Sequence, residues 1–303
     1  MHKIKLIFNP ASDRGRSGQK ASDLRAIVEQ RGGADWAGTE YPGHATELAA
    51  QAIQDGYEKV IALGGDGTAH EVVNGLMTAP AGSRPLMGVV PIGSGNDFAF
   101  SSGINMNPQE AMIRVFEGSA SAVDIGRITD GGGRSEYFDN SAGFLFDAAI
   151  NIQSRKITRI YGFLMYLTAT VKSIIENYDP TRMKFIIDGE AVEKDLLMFT
   201  VGNGAREGGG FMVTPAAKNN DGIFDYLMVD PISRPMMFRL LPEVMAGKHE
   251  KYPFVKTRRF TSMEFEADRA VPIHLDGELW APYEADVRQV KIEILPGAIE
   301  LIR

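Results

Sequence analysis

Apolar positions in the first third of the chain fall into short runs separated by stretches of helical period. Ile4 to Phe8 and Lys59 to Leu63 predict strands, and Gln19 to Gln30 and Thr46 to Gln54 predict helices. Beyond a glycine loop, Ala69, Val72, Val73, Leu76 and Met77 recur at helical spacing. Leu86 to Pro91 gives a third strand and Pro108 to Phe116 another helix. Strands alternating with helices predict a parallel sheet with crossover connections.

From about Val123 the pattern changes. VDIGRIT, SEYFDNSAGF, MKFIIDGEAVE, LLMFTVGNG, GIFDYLMV, RRFTSMEFEA and VPIHLDGELW are strand-like pieces divided by Gly, Asn and Asp, which predicts a mainly antiparallel β domain. Two helices interrupt it. One covers Thr158 to Tyr178, with Ile160, Phe163, Leu164, Leu167, Val171, Ile174 and Ile175 on a broad face; the other covers Arg234 to Ala246, with Met237, Leu240, Leu241 and Val244 in register. There is no internal repeat and no low-complexity segment. The cleft between two such domains is a natural ligand site.

A chain of 303 residues has room for two domains. Its hydrophobic and charged fractions, 44% and 23%, exclude disordered and fibrous classes. Cysteine is absent, which excludes disulfides and thiolate metal sites and fits a reducing interior. A net charge of −7 argues against a nucleic-acid partner. The opening MHKIKLIFNP lacks the longer apolar region and cleavage site of a signal peptide. Tyr161 to Val171, closed by Arg159 and Lys172, falls short of the roughly 20 apolar residues a transmembrane segment needs. The expectation is a cytoplasmic protein.

LGGDGTAHE, Leu63 to Glu71, follows the strand KVIAL and opens a helix. Exposed N–H groups and the helix dipole favour an anion there. Gly64, Gly65 and Gly67 allow a phosphate to approach the backbone. Thr68 and Glu71 match a capping box. Asp66, in the middle of the loop, repels a bare triphosphate but suits one carrying Mg²⁺; the alternative is a turn aspartate without a ligand. No G-x-x-x-x-G-K-[ST] exists, and His70 takes the third glycine position of a dinucleotide fingerprint. A second turn, PIGSGNDFA, offers Ser94, Asn96 and Asp97, and FNPASDRGRSG sets Asn9, Ser12, Arg14 and Arg16 after the first strand. Loops at the carboxyl ends of parallel strands converge on one ligand. Phosphorylating an alcohol also requires a proton acceptor. DGE occurs twice, at Asp188 to Glu190 and at Asp276 to Glu278, each reading equally well as a hairpin turn.

FNPAS, LGGDGTAHEVVNG, PIGSGNDFA, VDIG, YFDNSAGFLFDA, VGNGAREGGGF, NNDGIFD and HLDGE, in that order, span nearly the whole chain. This set resembles the diacylglycerol-kinase-like lipid kinases, a family that includes sphingosine kinases and shares a superfamily with NAD kinases. The resemblance implies a Rossmann-like α/β nucleotide-binding domain over residues 1–122, rejoined by 290–303 through a strand near Val290 to Leu295. It implies a β-sandwich lipid-substrate domain over 123–289, with ATP and Mg²⁺ as cofactors. The nucleotide falls to Asn9, Pro10, Ala11, Ser12, Asp13, Thr39, Gly65, Asp66, Gly67, Thr68, Ala69, His70, Glu71, Ser94, Asn96 and Asp97. Asp66 addresses the metal, Glu278 accepts the proton, and Asp276 is its helper or an alternative base. Asp188 and Glu190 become structural. NNDGIFD corresponds either to a second Mg²⁺ position, formed by Asp221 with the backbone of Lys218 and Ile223, or to an Asp-Gly turn. Asp124 supports the metal region or ends a strand. His70 stands where relatives carry Asn and is expected to face solvent rather than the nucleotide, while Ser94 replaces Thr and keeps the hydroxyl.

Tyr161, Phe163 and Tyr166 line an acyl-chain cleft, touch a bilayer, or pack inside the domain. Lys248, Lys251, Lys256, Arg258 and Arg259, interleaved with Tyr252 and Phe254, suit anionic headgroups at about 1 kcal/mol each, or a solvated face. The expected function is transfer of the γ-phosphoryl group of ATP to a lipid hydroxyl, foremost that of diacylglycerol to give phosphatidic acid, with peripheral contact at the membrane surface. A homodimer remains open. The rivals are an NAD kinase, disfavoured by the late DGE and by GSGND, and a catalytically silent nucleotide-binding regulator, disfavoured by Asp66, Asp97 and Glu278.

Overall fold

The computed structural model describes residues 3–10 and 16–303. Ala11, Ser12, Asp13 and Arg14 of the sequence reading lie outside the described residues. In chain order the first part runs β1 (Ile4–Phe8), α1 (Arg16–Gln30), β2 (Asp35–Gly38), α2 (His44–Gln54), β3 (Lys59–Gly64), α3 (Asp66–Leu76), β4 (Leu86–Pro91), α4 (Asp97–Ser101) and α5 (Pro108–Glu117). Ala21, Leu24 and Val28, three and four residues apart, turn one face of α1 into the core. The strands stack in parallel in the order β2-β1-β3-β4, with Ile4–Phe8 registered against Lys59–Leu63. Strand β2, in DWAG, gave no sequence signal because four residues carry too little alternation.

The second part runs β5 (Ala120–Asp130), β6 (Ser135–Phe138), β7 (Ser141–Leu145), α6 (Phe146–Arg155), α7 (Gly162–Glu176), β8 (Thr181–Ile187), β9 (Glu190–Leu196), β10 (Met198–Gly202), β11 (Phe224–Val229) and α8 (Arg234–Met245). It closes with β12 (Val255–Phe260), β13 (Ser262–Ala267), β14 (Ile273–Leu275), β15 (Glu278–Ala281) and β16 (Gln289–Ile302). One sheet continues from the parallel strands through β16 to β13, β8 and β9; the other has the order β12-β11-β10-β7-β14-β15. Phenylalanines from both fill the space between them: Phe144 stacks on Phe199 with centroids 4.8 Å apart and meets Phe265 edge-on at 5.3 Å.

Strand β16 is longer than its apolar run. It pairs antiparallel with β5, bulges between Leu295 and Ile299, and reaches β4 at Leu301 beside Met87. Pro296 and Gly297 signal a break in sequence; the bulge absorbs them. Asp124 holds that bulge, accepting from Gly297 N at 2.8 Å and from Gly222 N at 2.7 Å. Its role in the fold is therefore to tie the last strand to the NNDG turn.

RRFTSMEFEA is not one strand. The chain turns a corner at Thr261, leaving one sheet at Phe260 and entering the other at Ser262. The Asp188 carboxylate fastens the corner, accepting from Thr261 N at 3.1 Å, Thr261 Oγ1 at 2.8 Å and Ser262 N at 2.9 Å. In YFDNSAGFLFDA the first two residues end β6 and Ser141–Leu145 is β7; α6 follows at once, a switch that no proline announces. The expected helix from Thr158 begins only at Gly162.

The capping box also fails. Gly65, extended, follows β3 directly and is itself the N-cap of α3, so Thr68 is already inside the first turn. Glu71 serves the neighbouring helix instead, accepting from Gly43 N and Ala45 N of α2 at 2.9 Å each. Asp188→Ala should lower stability by about 1 kcal/mol in urea unfolding, with nucleotide binding unchanged, since it frees three donors that water can reach.

Candidate active site

A cleft of about 580 Å³ runs between the two parts of the chain. One end is formed by Asn9, Thr39, Gly65 to Thr68, Ser94 and Gly95, at the carboxyl ends of the parallel strands. The other is apolar, with Ile150, Met165, Val229, Leu240 and Val244 contributed by α6, α7, α8 and the second sheet, and Leu197 by the link between β9 and β10. Carboxylates stand where the ends meet.

Asp66 and Asp97 face one another across Gly95. A Cβ on Gly95 would lie 2.7 Å from Asp66 Oδ2 and 3.4 Å from Asp97 Oδ2, so any larger residue there would displace the Asp66 carboxylate. Asp97 is answered by protein: Arg206 Nε donates to its Oδ1 at 2.6 Å, and Gly209 N donates to its Oδ2 at 3.0 Å. Asp66 accepts from Phe98 N at 3.1 Å and forms no ion pair among the described residues. Burial first, then Asp97, pushes the Asp66 carboxyl up to about 7. A carboxylate short of a counter-charge, beside loops fit for phosphate, suits a divalent cation such as Mg²⁺.

The late DGE forms a two-residue hairpin turn, with φ +50° at Asp276 and +84° at Gly277; the early one repeats it at +48° and +89°. Identical local geometry explains why spacing could not separate them. Their surroundings do. Asp276 is buried and accepts from Asp139 N at 2.9 Å, Asn140 N at 2.9 Å and Ser141 N at 2.8 Å, with His70 Nδ1 at 2.8 Å. Four donors occupy the capacity of one carboxylate, so Asp276 holds the turn together while also lining the cleft. Glu278, by contrast, is exposed. Its Oε1 lies 3.0 Å from where a Cβ on Gly67 would be, and its Oε2 accepts from Arg155 Nη2 at 2.8 Å. Gly67 thus admits the carboxylate to the glycine loop.

Asp147, Glu207 and His274 form a further polar group on the cleft wall, their ligand atoms within 4.8 Å of one another. Glu207 Oε1 is shut off from water and finds no hydrogen-bond partner in the structure. Burial first, then Asp147, pushes Glu207 up to about 8.

Among the described nucleotide residues, Asn9, Thr39, Gly65, Asp66, Gly67, Thr68, Glu71, Ser94 and Asp97 line the cleft. Pro10 is exposed and does not line it, and Ala69 packs in the core. Asn96 shapes its own turn, accepting from Gly93 N at 3.1 Å and donating to Gly93 O at 2.9 Å. His70, expected in solvent, is 5% exposed. Lys218, Asp221 and Ile223 lie away from the cleft, and the Asp221 carboxylate pairs there with Arg259. Lys251 is likewise paired, with Glu243 at 2.8 Å, which thins the basic patch. Arg155, Arg206, Glu136 and His274 were given no role from sequence. AREGGG carried Arg206 in plain view, but nothing local tied it to Asp97.

Comparisons with known proteins follow this geometry. Residues 3–128 match the diacylglycerol kinase catalytic domain, and residues 140–303 match the YegS C-terminal NAD kinase beta sandwich-like domain. A protein of Chromohalobacter salexigens named "Probable lipid kinase YegS-like" is 35% identical over 78% of this chain and 74% of its own. A diacylglycerol kinase of Mycobacterium tuberculosis is 29% identical over 99% of this chain and 95% of its own. A crystal structure described as a diacylglycerol kinase from Bacillus anthracis shares the fold, with TM-score 0.74 and 21% identity over 99% of this chain and 96% of that one. The chain belongs to the diacylglycerol kinase-like lipid kinase family. It is a kinase, and the family implies ATP as its phosphoryl donor.

The raised Asp66 carboxyl has a stability consequence. Its folded pKa exceeds the unfolded value of 3.8, so the folded state holds the proton more tightly and loses stability as pH rises from about 4 to about 7. Asp66→Asn should therefore raise the melting temperature of the nucleotide-free protein more at about pH 8 than at about pH 4, read by thermal denaturation in metal-free buffer.

Proposed function

We propose that this kinase transfers the γ-phosphoryl group of ATP to the hydroxyl of a lipid, with diacylglycerol the first candidate and phosphatidic acid its product. The observation that carries the reading is the continuity of the cleft: glycine-rich loops at one end, an acyl-sized apolar pocket at the other, Glu278 between them. An NAD kinase would need a polar lining for its second nucleoside, where this chain has Leu240, Val244 and Met165.

In this reading the backbone N–H groups at the start of α3 hold the phosphates, and Thr39, Asn9 and Ser94 border the rest of the nucleotide. Mg²⁺, when bound at Asp66, neutralises charge on the polyphosphate. Arg155 holds one oxygen of Glu278 and leaves Oε1 facing the loop. The lipid hydroxyl gives its proton to Glu278 Oε1 as its oxygen bonds to the γ-phosphorus and the bond to ADP breaks. Asp147, Glu207 and His274 form a polar collar for the hydroxyl-bearing end of the lipid, and the acyl chain extends between α7 and α8.

No helix among the described residues is long and apolar enough to cross a membrane. Leu164 of α7 and Phe238 of α8 are 60% and 41% exposed, and with Ile160 and Tyr161 they give the pocket's helices an apolar outer surface suited to contact with a bilayer.

The test is incubation with labelled ATP and a panel of lipids that includes diacylglycerol, with NAD alongside. Label on lipid supports the reading; label on NAD alone, or binding without transfer, overturns it. Glu278→Gln should cut turnover by about 10²–10⁴-fold with ATP binding retained in calorimetry. Val244→Trp, filling the apolar end, should cost long-chain substrates more turnover than short-chain ones.

A further inference from the structure

The mechanism leaves one buried ionisable side chain of α3 unused. His70 lies one turn beyond Asp66 and does not line the cleft. Its Nδ1 faces Asp276 Oδ2 at 2.8 Å and its Nε2 faces Glu136 Oε1 at 3.0 Å. A carboxylate opposite each ring nitrogen calls for an N–H on both, which only the imidazolium has. Burial opposes that charge, but Asp276 and Glu136 outweigh it and hold the group well above the ordinary imidazole value. The other charged groups nearby are few: Asp139, buried after β6; Arg134, 3.8 Å from Glu136; and Asp66 on α3 itself. Asn74, one turn on, docks the same helix on β6 by donating to Tyr137 O and accepting from Tyr137 N, both at 3.0 Å.

We propose that His70 is a positioning residue, an imidazolium clamped between Asp276 and Glu136 that locks the turn bearing Glu278 to the helix bearing Asp66. The inference rests on the kinase reading for its purpose but not for its geometry. The glycine loop and the proton acceptor belong to different parts of the fold. His70 is a direct side-chain tie between the helix that continues the first and the turn that carries the second. An error of about 1 Å in such a separation costs about 10²-fold in rate. When the imidazolium loses a proton at alkaline pH, one of its two carboxylates loses its donor and the turn loosens.

Two measurements on the full chain test this. In the lipid kinase assay, His70→Ala should lower kcat by about 10–100-fold with KM for ATP unchanged. His70→Gln, an uncharged donor, should recover part of the rate and lack the alkaline limb of the wild-type pH profile. Unchanged kcat, a rise in KM for ATP alone, or an alkaline limb persisting in His70→Gln overturns the proposal. The second measurement needs neither turnover nor a stable His70 variant: NMR of protein carrying ¹³C-labelled histidine. His70 should titrate above the ordinary imidazole range, and Glu136→Gln, which leaves one clamp oxygen pair uncharged, should move it down. A normal titration indifferent to Glu136→Gln overturns the clamp whatever the lipid panel shows. The expected titration in a protein that phosphorylates no lipid keeps the clamp and removes the kinase reading instead.

Discussion

The structure turns on a carboxylate taken out of water. Asp276 has no exposed side-chain surface, and a buried charge of that kind survives only among donors. It finds them in three consecutive backbone N–H groups, Asp139 to Ser141, and in His70. Those donors come from the entry to β7 and from α3. One side chain therefore joins the DGE hairpin, the strand beside it and the helix of the glycine loop. Removing it would strand three N–H groups in the interior, each costing about 1–3 kcal/mol. Glu278, two residues on, is left free to face the loop because its neighbour carries the structural burden.

The remaining charges of the cleft follow the same accounting. Asp97 has Arg206, Glu278 has Arg155, and Asp276 has His70. Asp66 and Glu207 are the two whose carboxyls burial and a neighbouring acid push up to about 7 and about 8. A scaffold built only for stability would place neutral side chains there. That this pair sits at the two sides of the junction, one among the glycine loops and one on the cleft wall, fits a site that completes its electrostatics by binding.

Legibility in the sequence tracked locality. The parallel strands and the glycine turns were readable because strand period, helix period and Asp-Gly chemistry are local properties, and Leu86–Pro91 and Ile4–Phe8 come out residue for residue. The antiparallel half was readable as a class but not in detail. The corner at Thr261 depends on an aspartate over seventy residues away in sequence, Asp188, and so was invisible. His70 and Glu71 fail for the same reason in opposite senses. A histidine beside a glycine loop looks solvated until Asp276 and Glu136 are brought to it, and a glutamate in capping-box register looks local until α2 offers it better donors. The two DGE turns make the limit plain: backbone and side chains repeat, and only the neighbours differ.

Helix α7 shows how the apolar and polar halves of the site constrain each other. Its apolar residues spread over more than one stripe because it has two apolar duties. Met165 and Ile174 line the cleft, whereas Leu164 and Ile175, adjacent in sequence but turned by about 100°, stand 60% exposed. A helix that only closed a core would carry polar residues on that outer side. Retaining leucine and isoleucine there costs water contact in the isolated chain, a cost that vanishes if the outer side meets the same hydrocarbon that fills the inner one. Under the proposed function both exposures have one cause: a wall apolar on its two sides would let an acyl chain leave a bilayer and reach Glu278 without crossing water.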